Sequence, residues 1–188
     1  MAWPEDQKLQ TRRRILESAA RLFAVQGFDA VNIDMLMADA GLTRGAFYHH
    51  FRTKAELLDE AIGHAAQCGG ARLDALGDAG LGALVQAYLR PEHVSGQVLR
   101  CPLAFMATDM AHQDRAVRNS YTRSFSQFIE RIREASASGS RAQALQMAVM
   151  LIGGVALARS LEDEGLVEEL LAACRAGGLA LISEEGSD

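Results

Sequence analysis

The chain has 188 residues, a formal net charge of −5 and only three prolines, and 49% of its residues are apolar. That length allows one sizeable helical domain or two smaller ones sharing a core, and so few prolines favour helices. No run approaches the ~18 consecutive apolar residues of a membrane span, and the first ten residues are polar rather than signal-like. We therefore expect a cytoplasmic protein with no membrane partner. Three widely spaced cysteines without a CxxC pattern support neither a disulfide framework nor a metal site.

Charge is distributed unevenly along the chain. Residues 1–54 carry 8 Lys and Arg against 6 Asp and Glu, whereas residues 55–188 carry 11 against 18. Because cations can bind phosphates, the N-terminal part is the only plausible nucleic-acid face. Within it, four cations are expected to meet phosphates from the start of the first predicted helix: Lys8, Arg12, Arg13 and Arg14.

The first predicted helix begins at Thr11. Its apolar residues recur at intervals of three and four, as in an amphipathic helix: Ile15, Leu16, Ala19, Ala20, Leu22 and Phe23. Gly27 is expected to end the helix in a left-handed conformation. Phe28 would then fold back as an apolar plug.

Two short helices are predicted next. The second helix starts after Asn32, an N-cap residue type, and ends at Gly41. The third covers about residues 44–51, with Thr43 available as its N-cap. Only residues 41–43 separate the two helices, and a tight glycine-containing turn between short helices is typical of a helix-turn-helix.

The third predicted helix has two different sides. Phe47 and Phe51 point to one side, and the opposite side is polar and rich in hydrogen-bond donors: Arg44, Gly45, Tyr48 and His49. Arg44 can bind guanine O6 and N7, and Gly45 allows the backbone to approach a groove. An ordinary solvated face is the alternative, but an aromatic residue and two histidines within six positions favour DNA contact.

The fourth predicted helix opens with a capping box formed by Thr53 and Glu56. Lys54 lies in its first turn, where the helix dipole already favours an anion, so a phosphate is the expected partner of its ammonium group. The helix is predicted to run to about Leu76.

Together, residues 11–27, 33–41 and the run Thr43 to Lys54 (TRGAFYHHFRTK) closely resemble the DNA-binding domain of the TetR family of repressors. The resemblance covers about fifty residues and includes the Gly-x-Phe-Tyr-x-His-Phe run with the following lysine. It implies an all-α homodimer with two domains: a three-helix DNA-binding domain with a helix-turn-helix over residues 1–54, and a helical effector-binding and dimerisation domain over residues 55–188. Double-stranded operator DNA is the implied partner, and no cofactor is expected.

Carried over residue by residue, the resemblance implies two sets of DNA contacts. The phosphate-binding set is Asn32, Thr43, Tyr48, His50 and Lys54, and the base-facing set is Arg44, Gly45 and His49. Asn32 stands where the family usually has threonine, but either residue can cap a helix and donate to a phosphate. The resemblance also implies that a small-molecule effector releases the protein from DNA, and that the last two helices of each subunit form a four-helix dimer interface.

In the C-terminal part, the sequence predicts a short helix near residues 81–89 after Gly77 and Gly80, and a loop over residues 91–100. A helix then begins at Pro102 and carries Leu103, Phe105, Met106 and Met110. Asp114 caps a longer helix that ends at residues 138–140. The last two helices are predicted over residues 141–161 and 165–182.

Two groups of residues in these helices are functional candidates. Aromatic and methionine side chains suit an apolar ligand, although a packed core is the alternative for each of them: Phe105, Met106, Met110, Tyr121, Phe125 and Phe128. Glycines and leucines on the last two helices are expected at the two-fold interface: Gly153, Gly154, Leu157, Leu170, Gly177 and Gly178. The acidic C-terminal part favours a neutral or cationic effector.

Cys101 suggests an alternative function. The segment Cys101-Pro102-Leu103-Ala104 looks like one found in a branch of the family, where glycine commonly precedes the cysteine; here Arg100 precedes it. A neighbouring cation and a helix N-terminus would lower the pKa of the thiol, as in a redox or electrophile sensor. A small apolar plug is the simpler interpretation of Cys101.

Two other classes of protein are weaker candidates. The sequence contains no glycine-rich phosphate loop, nucleophile elbow or HExxH motif, so an enzyme is not predicted. A nucleoid-type binder with little sequence preference would be expected to spread positive charge widely, and the acidic C-terminal part argues against that.

Overall fold

The computed structural model describes residues 5–74, 80–97 and 101–183. In those ranges the chain forms ten α-helices and one 3-10 helix, with no β-strand, which confirms the all-α fold class. The α-helices are α1 (Glu5–Gln26), α2 (Ile33–Asp39), α3 (Arg44–Tyr48), α4 (Lys54–Asp74), α5 (Gly80–Tyr88), α6 (Pro91–Val94), α7 (Pro102–Phe105), α8 (Arg115–Ala135), α9 (Arg141–Ala158) and α10 (Glu164–Ser183). The 3-10 helix is Asp109–His112. Three residues of the sequence predictions lie outside the described residues: Leu76, Gly77 and Arg100.

The end of α1 is built as the sequence predicts. The helix begins at Glu5, six residues before the predicted start at Thr11. Gly27 follows it with φ +79°, and its amide donates to the carbonyl of Phe23. The Phe28 ring then folds back to 5.3 Å from the Phe23 ring centroid. Glycine is required at this corner because a side chain strains a positive φ.

The helix-turn-helix also follows the prediction, with a shorter third helix. The Asn32 Oδ1 accepts a hydrogen bond of 2.9 Å from the Met35 amide and so caps α2. Gly41, at φ +64°, turns the chain towards α3. Helix α3 ends at Tyr48, so His50 lies in the turn after it. Thr43 occupies the N-cap position of α3, but its side chain makes no capping hydrogen bond.

The start of α4 packs with the first three helices. Its capping box is partly as predicted: the Glu56 amide donates to Thr53 Oγ1 at 3.0 Å, whereas the Glu56 carboxylate accepts from the Arg52 amide. The buried core of this region is continuous with the first turns of α4: Ile15, Phe23, Leu36, Phe47, Phe51, Leu57, Leu58 and Ile62. Helix α4 therefore joins the two parts, and a boundary at residue 54 stays a prediction.

Two predicted elements of the C-terminal part were wrong. Pro91–Val94 forms the short helix α6 rather than a loop, with proline in the first turn, where its missing N–H costs nothing. The predicted helix from Pro102 to Met110 is divided into α7 and the 3-10 helix. Helix α8 begins as expected, because Asp114 Oδ1 accepts from the Val117 amide at 3.0 Å.

Three of the glycines predicted at the dimer interface lie in close contacts within the subunit. A Cβ at Gly154 would lie 3.0 Å from Leu89 and 3.1 Å from the Cys174 sulfur. One at Gly177 would lie 2.8 Å from the Met150 sulfur, and one at Gly178 would lie 3.2 Å from Val85. These glycines therefore allow close packing between elements of one chain, and their place in a dimer interface stays a prediction.

Helix α9 is long and apolar enough to cross a membrane by length and composition alone. One side of the helix is buried in the protein, through residues such as Met147, Leu151 and Val155. A core helix passes the same test, so this property does not indicate insertion into a bilayer.

Candidate DNA-binding surface and ligand cavity

Helix α3 presents a donor-rich face to solvent. Phe47 is fully buried and fixes the inner side of the helix, whereas Tyr48 is 55% exposed. The two side chains predicted to face bases, Arg44 and His49, are also exposed. The predicted recognition face therefore forms one accessible surface on a rigid support.

Arg44 forms an ion pair with Asp34, an acidic residue that was not a predicted site residue. Its Nη1 lies 2.6 Å from Asp34 Oδ2, and both side chains are more than half exposed. Tyr48 first, and Asp34 next, raise the pKa of the guanidinium. An exposed ion pair contributes little free energy, so Arg44 can exchange Asp34 for a base edge at small cost.

Among the residues that the structure describes, none requires a glycine at position 45. Its φ is not in the left-handed region, and the one described atom within 4 Å of an added Cβ would be Thr43 Oγ1, at 4.0 Å. It lines a shallow surface depression together with Gly41, Leu42, Thr43 and His49. This open backbone is suited to close approach by another molecule.

The predicted phosphate-binding residues fall into two groups. Asn32 and Thr43 are exposed. His50 is half-buried and its Nδ1 has no hydrogen-bond partner. Burial first, and then the nearby Arg12 and Lys8, lower the pKa of His50.

Lys54 points inward. Its Nζ donates to the carbonyls of Phe28 at 2.7 Å and Val31 at 2.9 Å, and lies 4.0 Å from the Phe28 ring centroid. Burial lowers the pKa of its ammonium group. Lys54 thus fixes the loop between α1 and α2, and its predicted contact with a phosphate stays a prediction.

The basic cluster on α1 is largely engaged within the chain. Arg12 forms an ion pair with Glu60, and Arg13 forms one with Glu17. Arg14 donates to the carbonyl of Ala40 at 2.6 Å. Of the four cations expected to meet phosphates, Lys8 is exposed and forms no ion pair with another residue in the described part of the chain, and the contact of all four with phosphates stays a prediction.

The C-terminal part contains a cavity of about 90 Å³ between α4, α5, α7 and α8. Its lining residues are Ala65, Ala66, Gln67, Gly70, Tyr88, Cys101, Pro102, Leu103, Ser124, Gln127, Phe128 and Arg131. Of the six predicted ligand residues, Phe128 alone belongs to this lining. Sequence spacing missed Ser124, Gln127 and Arg131, which recur at intervals of three and four along α8 and so lie on one face of the helix.

The other five predicted ligand residues are placed elsewhere. Phe105, Met106 and Met110 are buried in the core. The Tyr121 hydroxyl donates to the Leu103 carbonyl at 2.6 Å, and Phe125 is partly buried against the core. The packed-core alternative therefore describes these positions better.

Cys101 lines the cavity, but its expected activation was wrong. Burial raises the pKa of its thiol, and this effect outweighs the lowering by Tyr88 and by the amides of α7. Tyr88 is 2% exposed, and its hydroxyl is buried without a satisfactory hydrogen bond even though the thiol lies beside it. Burial also raises the pKa of Tyr88 well above its ordinary value. Both groups keep their protons at neutral pH.

A continuous set of contacts joins the cavity wall to α1. The His93 ring lies against Tyr88, and its Nδ1 donates to the Tyr88 carbonyl at 2.5 Å. His93 stacks on Phe105, whose other neighbour is the Arg159 guanidinium, 3.7 Å from the ring centroid. Arg159 donates to the Ala24 carbonyl in the last turn of α1 at 3.1 Å. No local pattern in the sequence indicates this role of Arg159.

Two further hydrogen bonds lie at the same junction. Arg159 donates to the Val94 carbonyl of α6 at 3.0 Å. Asp109 Oδ2 accepts from the Phe28 amide at 3.2 Å, just after Gly27. The end of α1 is therefore held by side chains from the C-terminal part, where a cation also complements the negative end of the helix dipole.

The outer side of α9 and α10 is apolar and exposed. Leu145, Val149 and Leu157 recur along α9, with Gly153 open to solvent between them. Leu161 and Leu166 continue this surface, and the predicted interface residue Leu170 is partly buried against the core. We call the exposed residues Leu145, Val149, Gly153, Leu157, Leu161 and Leu166 the α9–α10 face.

These features define a helix-turn-helix with an exposed, donor-rich third helix, followed by a helical part that contains a cavity. Residues 15–61 match the family described as bacterial regulatory proteins, tetR family. The regulator AcrR from Shigella flexneri is 43% identical over 51 residues, which is 27% of this chain and 24% of AcrR. The match thus spans about a quarter of the relative's length.

Solved structures resemble the chain over most of its length. The reduced form of NemR from E. coli has a TM-score of 0.74 at 19% identity, covering 92% of this chain and 97% of NemR. A TetR transcriptional regulator from Chloroflexus aurantiacus has a TM-score of 0.73 at 25% identity, covering 91% of this chain and 95% of that one. Residues 15–61 therefore form a DNA-binding domain of the tetR family, and over most of its length the chain has the fold of solved TetR-type regulators.

Proposed function

We propose that the protein is a homodimeric repressor that binds double-stranded operator DNA through α3 and is released by a small-molecule effector. The observation that carries this proposal is the α3 face, where Arg44, Tyr48 and His49 are exposed around a glycine that the fold does not need. A helix of this kind fits the major groove, where base edges differ between all four base pairs.

Dimerisation is supported by the α9–α10 face. Exposed leucine and valine side chains on adjacent helices form the kind of apolar surface that marks a protein interface. The same face on a second copy would give an isologous contact with two-fold symmetry. Two α3 helices could then reach half-sites about one helical turn apart, ~34–36 Å.

Release by an effector is supported by the contacts between the cavity and α1. Tyr88 lines the cavity, and His93, Phe105 and Arg159 link its backbone to the Ala24 carbonyl. A ligand that moves Tyr88 would shift this set and hence the end of α1. Release requires that the ligand bind the DNA-free arrangement better than the DNA-bound one.

A redox or electrophile sensor acting through Cys101 is the alternative. Because the Cys101 thiol is held protonated, it is less reactive than an ordinary cysteine at neutral pH. Reversible ligand binding is therefore the better account of switching. Mass spectrometry after mild oxidant treatment distinguishes the two, since a sensor would show a mass shift at Cys101 together with loss of DNA binding.

The test of DNA recognition is a fluorescence-anisotropy titration with sequences selected from random DNA. Arg44→Ala should relax preference at one base position by ~1–3 kcal/mol. Arg133→Ala is the matched control, because Arg133 is an exposed arginine paired with Glu130 on α8, away from α3. Failure to select any sequence, or an unchanged base preference in Arg44→Ala, would contradict the proposal.

A further inference from the structure

The cavity lining carries positive charge but no negative charge. Among its described lining residues, Arg131 is the only charged side chain, and none is acidic. Ser124 and Gln127 lie on the same face of α8, so hydrogen-bonding groups line one wall. Leu103 of α7 and Phe128 of α8 add apolar surface to the lining. The cavity therefore offers contacts both to a polar group and to a hydrocarbon.

Tyr88 contributes a donor without a well-formed hydrogen bond. It is 2% exposed, and the polar group beside its hydroxyl is the Cys101 thiol, a weak acceptor that makes no hydrogen bond of good geometry with it. Leaving a buried hydroxyl poorly paired is unfavourable. An acceptor oxygen supplied by a ligand would remove this cost. The raised pKa of Tyr88 keeps the hydroxyl protonated, so it can donate at neutral pH.

Gly70 makes room for the arginine. A Cβ at this position would collide with the Arg131 guanidinium, so the guanidinium lies directly against the backbone of α4. Arg131 also takes part in an interaction within the chain. Because a guanidinium has five N–H donors, such a contact is compatible with a second one to a ligand oxygen.

The volume limits the ligand. A single buried water molecule needs roughly 10–15 Å³ of cavity space, so a cavity of about 90 Å³ holds a ligand of roughly six to nine non-hydrogen atoms. A short-chain or single-ring acid is of the right size.

We infer that this cavity binds a small organic monocarboxylate, with its charge balanced by Arg131 and one oxygen accepting a hydrogen bond from the Tyr88 hydroxyl. The inference rests on the proposed function, because it names the class of effector. It replaces the expectation of a neutral or cationic effector. That expectation used the charge of the whole C-terminal part, whereas charges beyond a Debye length of about 8–10 Å are largely screened.

The test compares probes that differ only in charge. Acetate, butyrate, hexanoate and benzoate are each paired with the corresponding amide, and butyrate also with butylammonium. Binding to the full chain at pH 7 is measured by calorimetry. At least one carboxylate should bind at least tenfold more tightly than its amide, and butylammonium should not bind.

Two pairs of variants locate the binding groups. Tyr88→Phe should weaken the best carboxylate about tenfold without lowering the Tm of the ligand-free protein, because the lost hydroxyl had no hydrogen bond of good geometry. Tyr121→Phe is its control, since that hydroxyl is bonded to Leu103 and lies outside the cavity lining. Arg131→Gln should remove the preference for carboxylate over amide, whereas Arg133→Gln should keep it.

The inference is overturned if no carboxylate binds, if the amides bind as tightly, or if Tyr88→Phe leaves affinity unchanged. The proposed function fails separately. Suppose that the protein binds a carboxylate as expected, but that its operator affinity does not change when that carboxylate is present. The inferred ligand class would then stand, and the proposal of effector-controlled release would be wrong.

Discussion

The N-terminal and C-terminal parts of this molecule present their functional groups in opposite ways. The helix-turn-helix buries Phe47 and exposes Arg44 and Tyr48. The C-terminal part instead keeps Tyr88 inside a cavity. A DNA-reading surface must be accessible to a large rigid partner, whereas a site for a small molecule gains from excluding water. Substitutions in the two parts should therefore act on different measurements.

The largest effect is expected from separating two subunits. Leu157→Glu places a charge in the α9–α10 face, where Leu157 is 58% exposed. The subunit should stay folded, become monomeric by light scattering and lose operator affinity by ~100-fold or more, because linked half-sites bind far more tightly than single ones. Val25→Glu, at an exposed apolar position on α1, is the control and should stay dimeric. A dimeric Leu157→Glu would place the interface elsewhere.

Arg159 tests the junction between the two parts. Arg159→Ala removes hydrogen bonds to the Ala24 and Val94 carbonyls and the contact with Phe105. We expect the free energy of unfolding to fall by about 2–3 kcal/mol. Arg159→Lys should recover only part of this, because an ammonium group lacks the planar fork. Urea denaturation measures both variants, and equal stability of Arg159→Ala and wild type would remove the proposed link.

Comparing variants of Lys54 and Lys8 distinguishes a lysine that stabilises the fold from one that contacts DNA. Lys54→Met should lower the free energy of unfolding by about 1–2 kcal/mol, because two buried carbonyls lose their donor. Lys8→Met should leave stability unchanged, since Lys8 is exposed. If Lys8 contacts a phosphate, its loss should reduce the salt dependence of operator binding by about one counterion. A Lys54→Met protein with the same free energy of unfolding as the wild type would contradict the stabilising role of Lys54.

The smallest effect concerns pH. Burial first lowers the pKa of His93, despite the opposing hydrogen bond to Tyr88. The unfolded chain therefore binds this proton more readily, so stability is full above the ordinary histidine pKa of about 6.5 and declines as the pH falls below it. His93→Phe should reduce the pH dependence of Tm between pH 7 and 5. An unchanged slope would show that other groups control it, with His50 the first candidate because its pKa is also lowered.

The sequence predicts the N-terminal part more accurately than the cavity in the C-terminal part, for physical reasons. Gly27, Asn32 and Asp114 act through neighbours within four residues, so local patterns were sufficient to place them. The cavity instead brings together residues from four helices, and apolar spacing alone cannot distinguish Phe105 in the core from Phe128 in the cavity wall.

Individual side chains show the same difference between local and long-range contacts. Lys54 was correctly placed at the start of α4, but its direction depends on two carbonyls more than twenty residues away. Arg159 reaches a carbonyl 135 residues away. Gly154 and Gly177 signalled close helix packing, and only the fold shows that this packing lies within one subunit.

The central claim, that α3 reads operator DNA, is tested most directly at Gly45. Gly45→Ala adds one methyl group to an open helical position, where alanine is the better helix former, so the Tm should stay the same or rise. The account predicts at least a tenfold weaker operator affinity by anisotropy in this folded protein, because the methyl group fills the space between backbone and groove. Operator affinity equal to that of the wild type would contradict it.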